Sequence, residues 1–145
     1  MRLTREADYA VRVVVDLAGR PRGENVRTGD LTATTGVPRP YLAKIVQALA
    51  RAGLVVTQQG PRGGVALPRD PAGITLRHMV EAVEGPVCLN RCLARPGACP
   101  RDTFCGVHPV WARIQSVLVR ELEAVTARDL AAATAAIRRS QGDRR

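Results

Sequence analysis

The pentapeptide Gly36-Val37-Pro38-Arg39-Pro40 restricts what this chain can fold into more than any other stretch. Each proline disfavours helical backbone at the residue before it, and Gly36 tolerates the positive φ that ends a helix, so no helix runs through the segment. Apolar spacing is helical on both sides. Residues 26–35 predict a short helix capped by Thr28. Residues 40–52 predict a second, opened by Pro40, closed by Gly53 and burying Leu42, Ile45, Val46 and Leu49. Two helices around so tight a glycine-containing turn form the helix-turn-helix pattern.

The flanking segments extend that pattern. Tyr9, Val13, Val14, Leu17 and Ala18 recur at three- and four-residue steps and predict a helix over residues 4–19, with Thr4 as its cap and Glu6 and Asp8 in its first turn. A polar linker, residues 20–25, follows. After Gly53 the period shortens: residues 54–59 predict a strand, Gly60-Pro61-Arg62-Gly63-Gly64 a turn, and residues 65–67 a returning strand. A short hairpin directly behind the second helix of such a pair is a wing. Thr75 then caps a short helix through about Val83, burying Leu76, Met79, Val80 and Val83.

Helix resumes at Pro109, where Trp111, Ile114, Leu118 and Val125, flanked by Leu122, make a coiled-coil-like seam. Such a seam needs a partner. A second copy in a two-fold dimer is the simplest, and packing back on the chain's own winged helix is the alternative. Thr126 and Asp129 form a capping box for a last helix, to about Arg139.

Apolar residues are 46% of the 145 but aromatics only 3%, so the core is built from Val, Leu, Ile and Ala and the class is mostly α. The formal charge is +9, and all but one of the 22 basic residues are arginine. The excess is shared by both halves, so it belongs to the folded body and points to a polyanionic partner, nucleic acid before membrane. The face of residues 40–52 left outside the core offers Tyr41, Lys44 and Gln47, with Arg39 just before it. Arg62 stands at the wing tip, where a guanidinium can enter a minor groove, and Thr28 can meet a phosphate. Double-stranded DNA is the expected partner. The N-terminus shows no signal-peptide pattern, and Arg12 and Asp16 break the one apolar stretch near it, so a cytoplasmic protein without a membrane span is expected.

Cys88, Cys92, Cys99 and Cys105, with His108 three residues on, crowd one glycine- and proline-rich stretch. In a reducing compartment this points to metal rather than disulfides. Zinc sites favour close pairs such as C-x-x-C, absent here, and the wide spacings suit a larger group such as an iron–sulfur cluster. A reversible disulfide switch and a zinc-stabilised interaction module stay open as alternatives. No phosphate loop or nucleophile–base pair suggests an enzyme, no small-molecule substrate is expected, and His78 falls in a short apolar helix as a structural residue.

The chain resembles the IscR/NsrR-type winged helix-turn-helix regulators, iron–sulfur-dependent bacterial transcription factors, and is closest to the IscR branch. The resemblance rests on Met1-Arg-Leu-Thr with Asp8-Tyr9-Ala10, on Val37-Pro-x-x-Tyr41-Leu42, on the wing glycines, and most specifically on Arg91-Cys92, Gly97-Ala-Cys99 and Cys105-Gly-Val-His108-Pro-Val-Trp111. It implies a homodimer with one cluster per subunit, bound by Cys92, Cys99, Cys105 and His108. A 2Fe–2S cluster is favoured and 4Fe–4S is compatible. It further implies that cluster loss or modification changes operator affinity, and a repressor sensing iron–sulfur status, nitric oxide or redox stress is expected.

Some residues depart from that pattern. The first cysteine spacing is one residue longer, Gln59 replaces a common arginine, Ala43 replaces a common glutamate, and Cys88 is additional. In the NsrR-like branch the fourth ligand is a carboxylate from the partner's first helix, at a position that Asp8 matches; with His108 present, Asp8 is read as a first-turn carboxylate. The expected fold is thus mostly α, with a winged helix-turn-helix over residues 1–84, a cysteine-rich cluster-binding loop over 85–108, and a long dimerisation helix with a C-terminal helix over 109–145.

Overall fold

A computed structural model describes residues 2–144. In chain order it contains α1 (Arg5–Ala18), α2 (Thr28–Thr35), α3 (Arg39–Arg51), β1 (Val56–Gln58), β2 (Gly64–Ala66), α4 (Leu76–Glu84), α5 (His108–Ala124) and α6 (Ala127–Gly142), with 3-10 turns at Pro71–Gly73 and Arg91–Leu93.

The local chemistry explains these boundaries. The Thr4 hydroxyl accepts the N–H of Ala7 (3.2 Å) and starts α1, whose stripe Ala7, Tyr9, Ala10, Val13, Val14 and Leu17 is buried. Gly36 takes φ 72° to end α2, and Pro38 precedes α3 with Pro40 in its first turn. Thr28 is not a cap. Arg27 occupies that position without a side-chain bond, and Thr28 is the first helical residue. The cause is long-range: Val26 pairs with Val65, which keeps the backbone extended up to Arg27.

The strands are shorter than the sequence pattern suggests, three residues each, pairing Val56 with Ala66, Thr57 with Val65 and Gln58 with Gly64. Leu54 and Val55 go into the core instead, with Val37, Leu42, Ile45, Leu49, Ile74 and Met79. In α4 the Thr75 hydroxyl accepts from the N–H of His78 (3.2 Å) while His78 Nδ1 accepts from the N–H of Thr75 (3.1 Å). His78 is therefore a capping residue.

Helix α5 starts at His108 and packs on α4, but none of its side chains is fully buried. Trp111, Ile114 and Val117 are exposed, whereas Leu118, Leu122 and Val125 are half-buried. Helix α6 returns to the body and packs on α1, with Ala127 in the core and Leu130 against it. Among the described residues no helix is long and apolar enough to cross a membrane.

Candidate nucleic-acid interface and cysteine pocket

Helix α3 turns Leu42, Ile45, Val46 and Leu49 inward, which leaves Arg39, Tyr41, Ala43, Lys44 and Gln47 exposed on its other side. The Tyr41 ring meets Tyr9 of α1 edge to face at 5.7 Å, so an exposed aromatic is braced from below. Lys44, 71% exposed, lies 3.8 Å from Glu6, a pairing that solvent makes weak and that leaves the ammonium available. The Arg39 guanidinium reaches the first turn of α2, where a Cβ on Gly29 would lie 3.3 Å from Nη2.

Exposed Thr28 sits on that same turn and exposed Arg62 at the wing tip. Between the wing and the helix pair runs an open groove of about 440 Å³, lined in part by Arg27, Thr28, Gln58, Gly60 and Pro61. Arg27, Thr28 and Gln58 give it donors of the kind that phosphates need. Sequence reasoning missed Arg27, which was hidden as the residue before an expected cap.

The cysteine loop is fastened where it leaves α4. The N–H of Val87 donates to Glu81 Oε1 of α4 (3.0 Å) and the N–H of Leu89 to Gln115 Oε1 of α5 (2.8 Å). Glu81 is itself held by Arg77 Nε (3.0 Å), and Arg77 also pairs with Glu123 of α5. Farther on, the N–H of Gly97 donates to Asp102 Oδ2 (3.0 Å) and closes a turn.

The loop folds over the start of α5 and forms with it an open pocket of about 400 Å³. Cys92, Cys99, Cys105 and His108 all line it, with Asp102, Val107 and Trp111. Cys88 lies outside, exposed, its thiol donating to the carbonyl of Asn90 (3.0 Å), beside Arg91 and Arg95 in a separate open groove. All four cysteines are free thiols. His108 Nδ1 is buried and has no hydrogen-bond partner.

A buried, unsatisfied imidazole nitrogen costs stability unless something binds it, and metal coordination is one of the few ways to do so. Three soft thiolate donors and one imidazole fit an iron–sulfur group. Among the described residues no three His, Cys, Asp or Glu side chains converge as the ligands of one metal ion would; Cys92, Cys99, Cys105 and His108 line one pocket without meeting at a point. Asp8 pairs with Arg12 of its own helix at 2.7 Å, both half-exposed. Asp102 was not singled out from sequence, and only the folding of the loop brings it to the cavity.

Residues 3–133 match the profile of Rrf2, described as an iron-dependent transcriptional regulator. Protein aau3 of Rhizobium meliloti (strain 1021) is 36% identical over 90% of this chain and 84% of its own length. The HTH-type transcriptional regulator IscR of Vibrio cholerae is 31% identical over 90% and 75%. Among solved structures, CymR, the global cysteine regulator of B. subtilis, superposes with a TM-score of 0.72 at 25% identity, covering 92% of this chain and 98% of that one. IscR of T. potens superposes with a TM-score of 0.70 at 23% identity, covering 92% and 88%, which bears on fold alone.

Proposed function

Because the chain belongs to the Rrf2 family of iron-dependent transcriptional regulators, we propose that it is a homodimeric regulator whose operator affinity depends on an iron–sulfur cluster held by Cys92, Cys99, Cys105 and His108. One observation carries this: the buried, partnerless Nδ1 of His108 belongs to a residue that shares a cavity with three free thiols. When bound, such a cluster supplies a redox couple and a reactive, removable inorganic centre.

The protein's own residues supply the rest. Val107 and Trp111 contribute apolar side chains to the pocket lining, and Glu81 and Gln115 fix the start of the loop relative to α4 and α5. Helix α4 also packs on α3, so the loop and the DNA-reading helix share a neighbour. On the DNA side, Tyr41, Lys44 and Gln47 serve base edges or phosphates, Thr28 and Arg39 the backbone at the start of α2, and Arg62 a minor groove. The exposed stripe Trp111, Ile114 and Val117 is assigned to the α5 of a second copy. The three-cysteine, one-histidine donor set favours 2Fe–2S, with 4Fe–4S as the alternative.

A thiol switch is the second reading, favoured by the four free cysteines and by the likeness to a protein described as a global cysteine regulator. One experiment separates the two. Protein purified without oxygen is assayed for visible absorption, iron, sulfide and zinc. The proposal expects a coloured protein with matching iron and sulfide, lost in Cys92→Ala, Cys99→Ala and Cys105→Ala. A colourless protein that stays iron-free after anaerobic reconstitution overturns the cluster. The thiol switch then stands if zinc is absent and dithiol state controls DNA binding.

A further inference from the structure

The last residue of the polar linker, Asn25, and the two that follow it, Val26 and Arg27, are each bonded to the wing. We propose that Asn25 and Arg27 are positioning residues that lock the wing tip, and with it Arg62, onto the helix pair, and so set operator affinity without themselves reading bases. The inference rests on the DNA-binding reading above.

Three consecutive residues make the clamp. Asn25 Nδ2 donates to the carbonyl of Arg62 (2.6 Å), and Arg27 Nη2 donates to the carbonyl of Pro61 (3.3 Å). Between them, Val26 exchanges both main-chain bonds with Val65, each at 2.8 Å. Two side chains thus hold adjacent carbonyls at the tip, while the main chain between them adds an isolated antiparallel bridge to the middle of β2.

The hairpin needs this support. Its ladder is three residue pairs long, and an isolated pair of strands that short does not hold its shape in water. The approach is close: Gly64 has φ +156°, and a Cβ there would sit 2.3 Å from the carbonyl oxygen of Val26. The clamp also runs directly into the helix pair, because Arg27 is the N-cap residue of α2 and Arg39 of α3 reaches the same turn at Gly29. Both side chains grip main-chain carbonyls, so the Arg62 side chain is left for DNA while its backbone is held. A loose tip would have to be ordered on binding, and that entropy would be subtracted from affinity.

Asn25 carries no charge, so replacing it leaves the electrostatic footprint intact, which separates positioning from phosphate contact. The test uses the full chain and a duplex selected from a random pool by the wild-type protein. Dissociation constants are measured over a range of salt for wild type, Asn25→Ala, Arg62→Ala and the double variant. Arg62→Ala is expected to weaken binding about tenfold and lower the salt slope by about one. Asn25→Ala is expected to weaken binding about threefold or more with the slope unchanged. The double variant should be no weaker than Arg62→Ala within about twofold, because the two act as a unit.

Full additivity, or unchanged affinity in both Asn25→Ala and the isosteric Asn25→Asp, overturns the proposal. Amide hydrogen exchange of residues 60–64 reads the clamp without DNA. Faster exchange in Asn25→Ala supports it, and unchanged exchange overturns it whatever the duplex data show. Wild-type protein that selects no duplex, with the exchange effect present, instead refutes the DNA-binding reading and the claim on affinity that depends on it.

Discussion

His108 is both the first residue of α5 and the owner of a buried nitrogen with no partner. Because it makes no capping bond, His108→Ala should leave helical circular dichroism near wild type and the thermal midpoint of the cluster-free protein no lower than wild type's, while the protein loses iron and sulfide or shows a shifted visible spectrum. Cys88→Ala should retain both, since Cys88 lies outside the cavity. Unaltered cluster properties in His108→Ala would remove it from the ligand set and turn attention to Asp8. The spacing of His108 from Cys105 was legible in the sequence. Which ring nitrogen is buried was not, because that depends on how the loop folds over α5. Gly64 makes the same point: the sequence marks a turn, but only the 2.3 Å approach to Val26 makes glycine obligatory. Gly64→Ala should destabilise the fold by about 1–3 kcal/mol, read as a lower urea midpoint. An unchanged midpoint would mean the wing tolerates displacement from Val26.

Helix ends were legible wherever their chemistry is local. Thr4, Thr75 and the Thr126–Asp129 box all lie within four residues of the groups they satisfy, although the return bond from His78 that makes Thr75 part of a box was not legible. The start of α2 was not, because Val65, far along the chain, holds Val26 extended. The seam on α5 was only half legible: apolar spacing marks the helix, but it does not show that Val117 stays exposed while Leu118 is half-buried. The α6 cap carries a pH dependence. The carboxyl of Asp129 is held below its ordinary value of 3.8 by the N–H of Thr126 and then by its hydroxyl. A carboxylate depressed by folding stabilises the fold above its ordinary range and loses that contribution as pH falls through the depressed value. The stability gap between wild type and Asp129→Ala should therefore be full at neutral pH and shrink in acid below about 3.8. A gap independent of pH would mean the cap acts without its charge.

Taken whole, the molecule has a body in which α1 packs against α2, α3, α4 and α6, and a long helix, α5, that leaves it with an apolar face exposed. Ile114→Glu with Val117→Glu should convert a dimer into a folded monomer in sedimentation equilibrium and weaken binding to a two-fold operator. A double variant that stays dimeric would move the interface elsewhere. The core and the cysteine pocket are joined through α4, which carries Glu81 at the loop and packs on α3. The most direct test of the account is the affinity of one preparation for its selected operator, measured over a range of salt with the cluster loaded and again after its removal. The account predicts steep salt dependence in both states and affinities at least about tenfold apart, as coupling between two sites of one molecule requires. Equal affinities in the two states would contradict it.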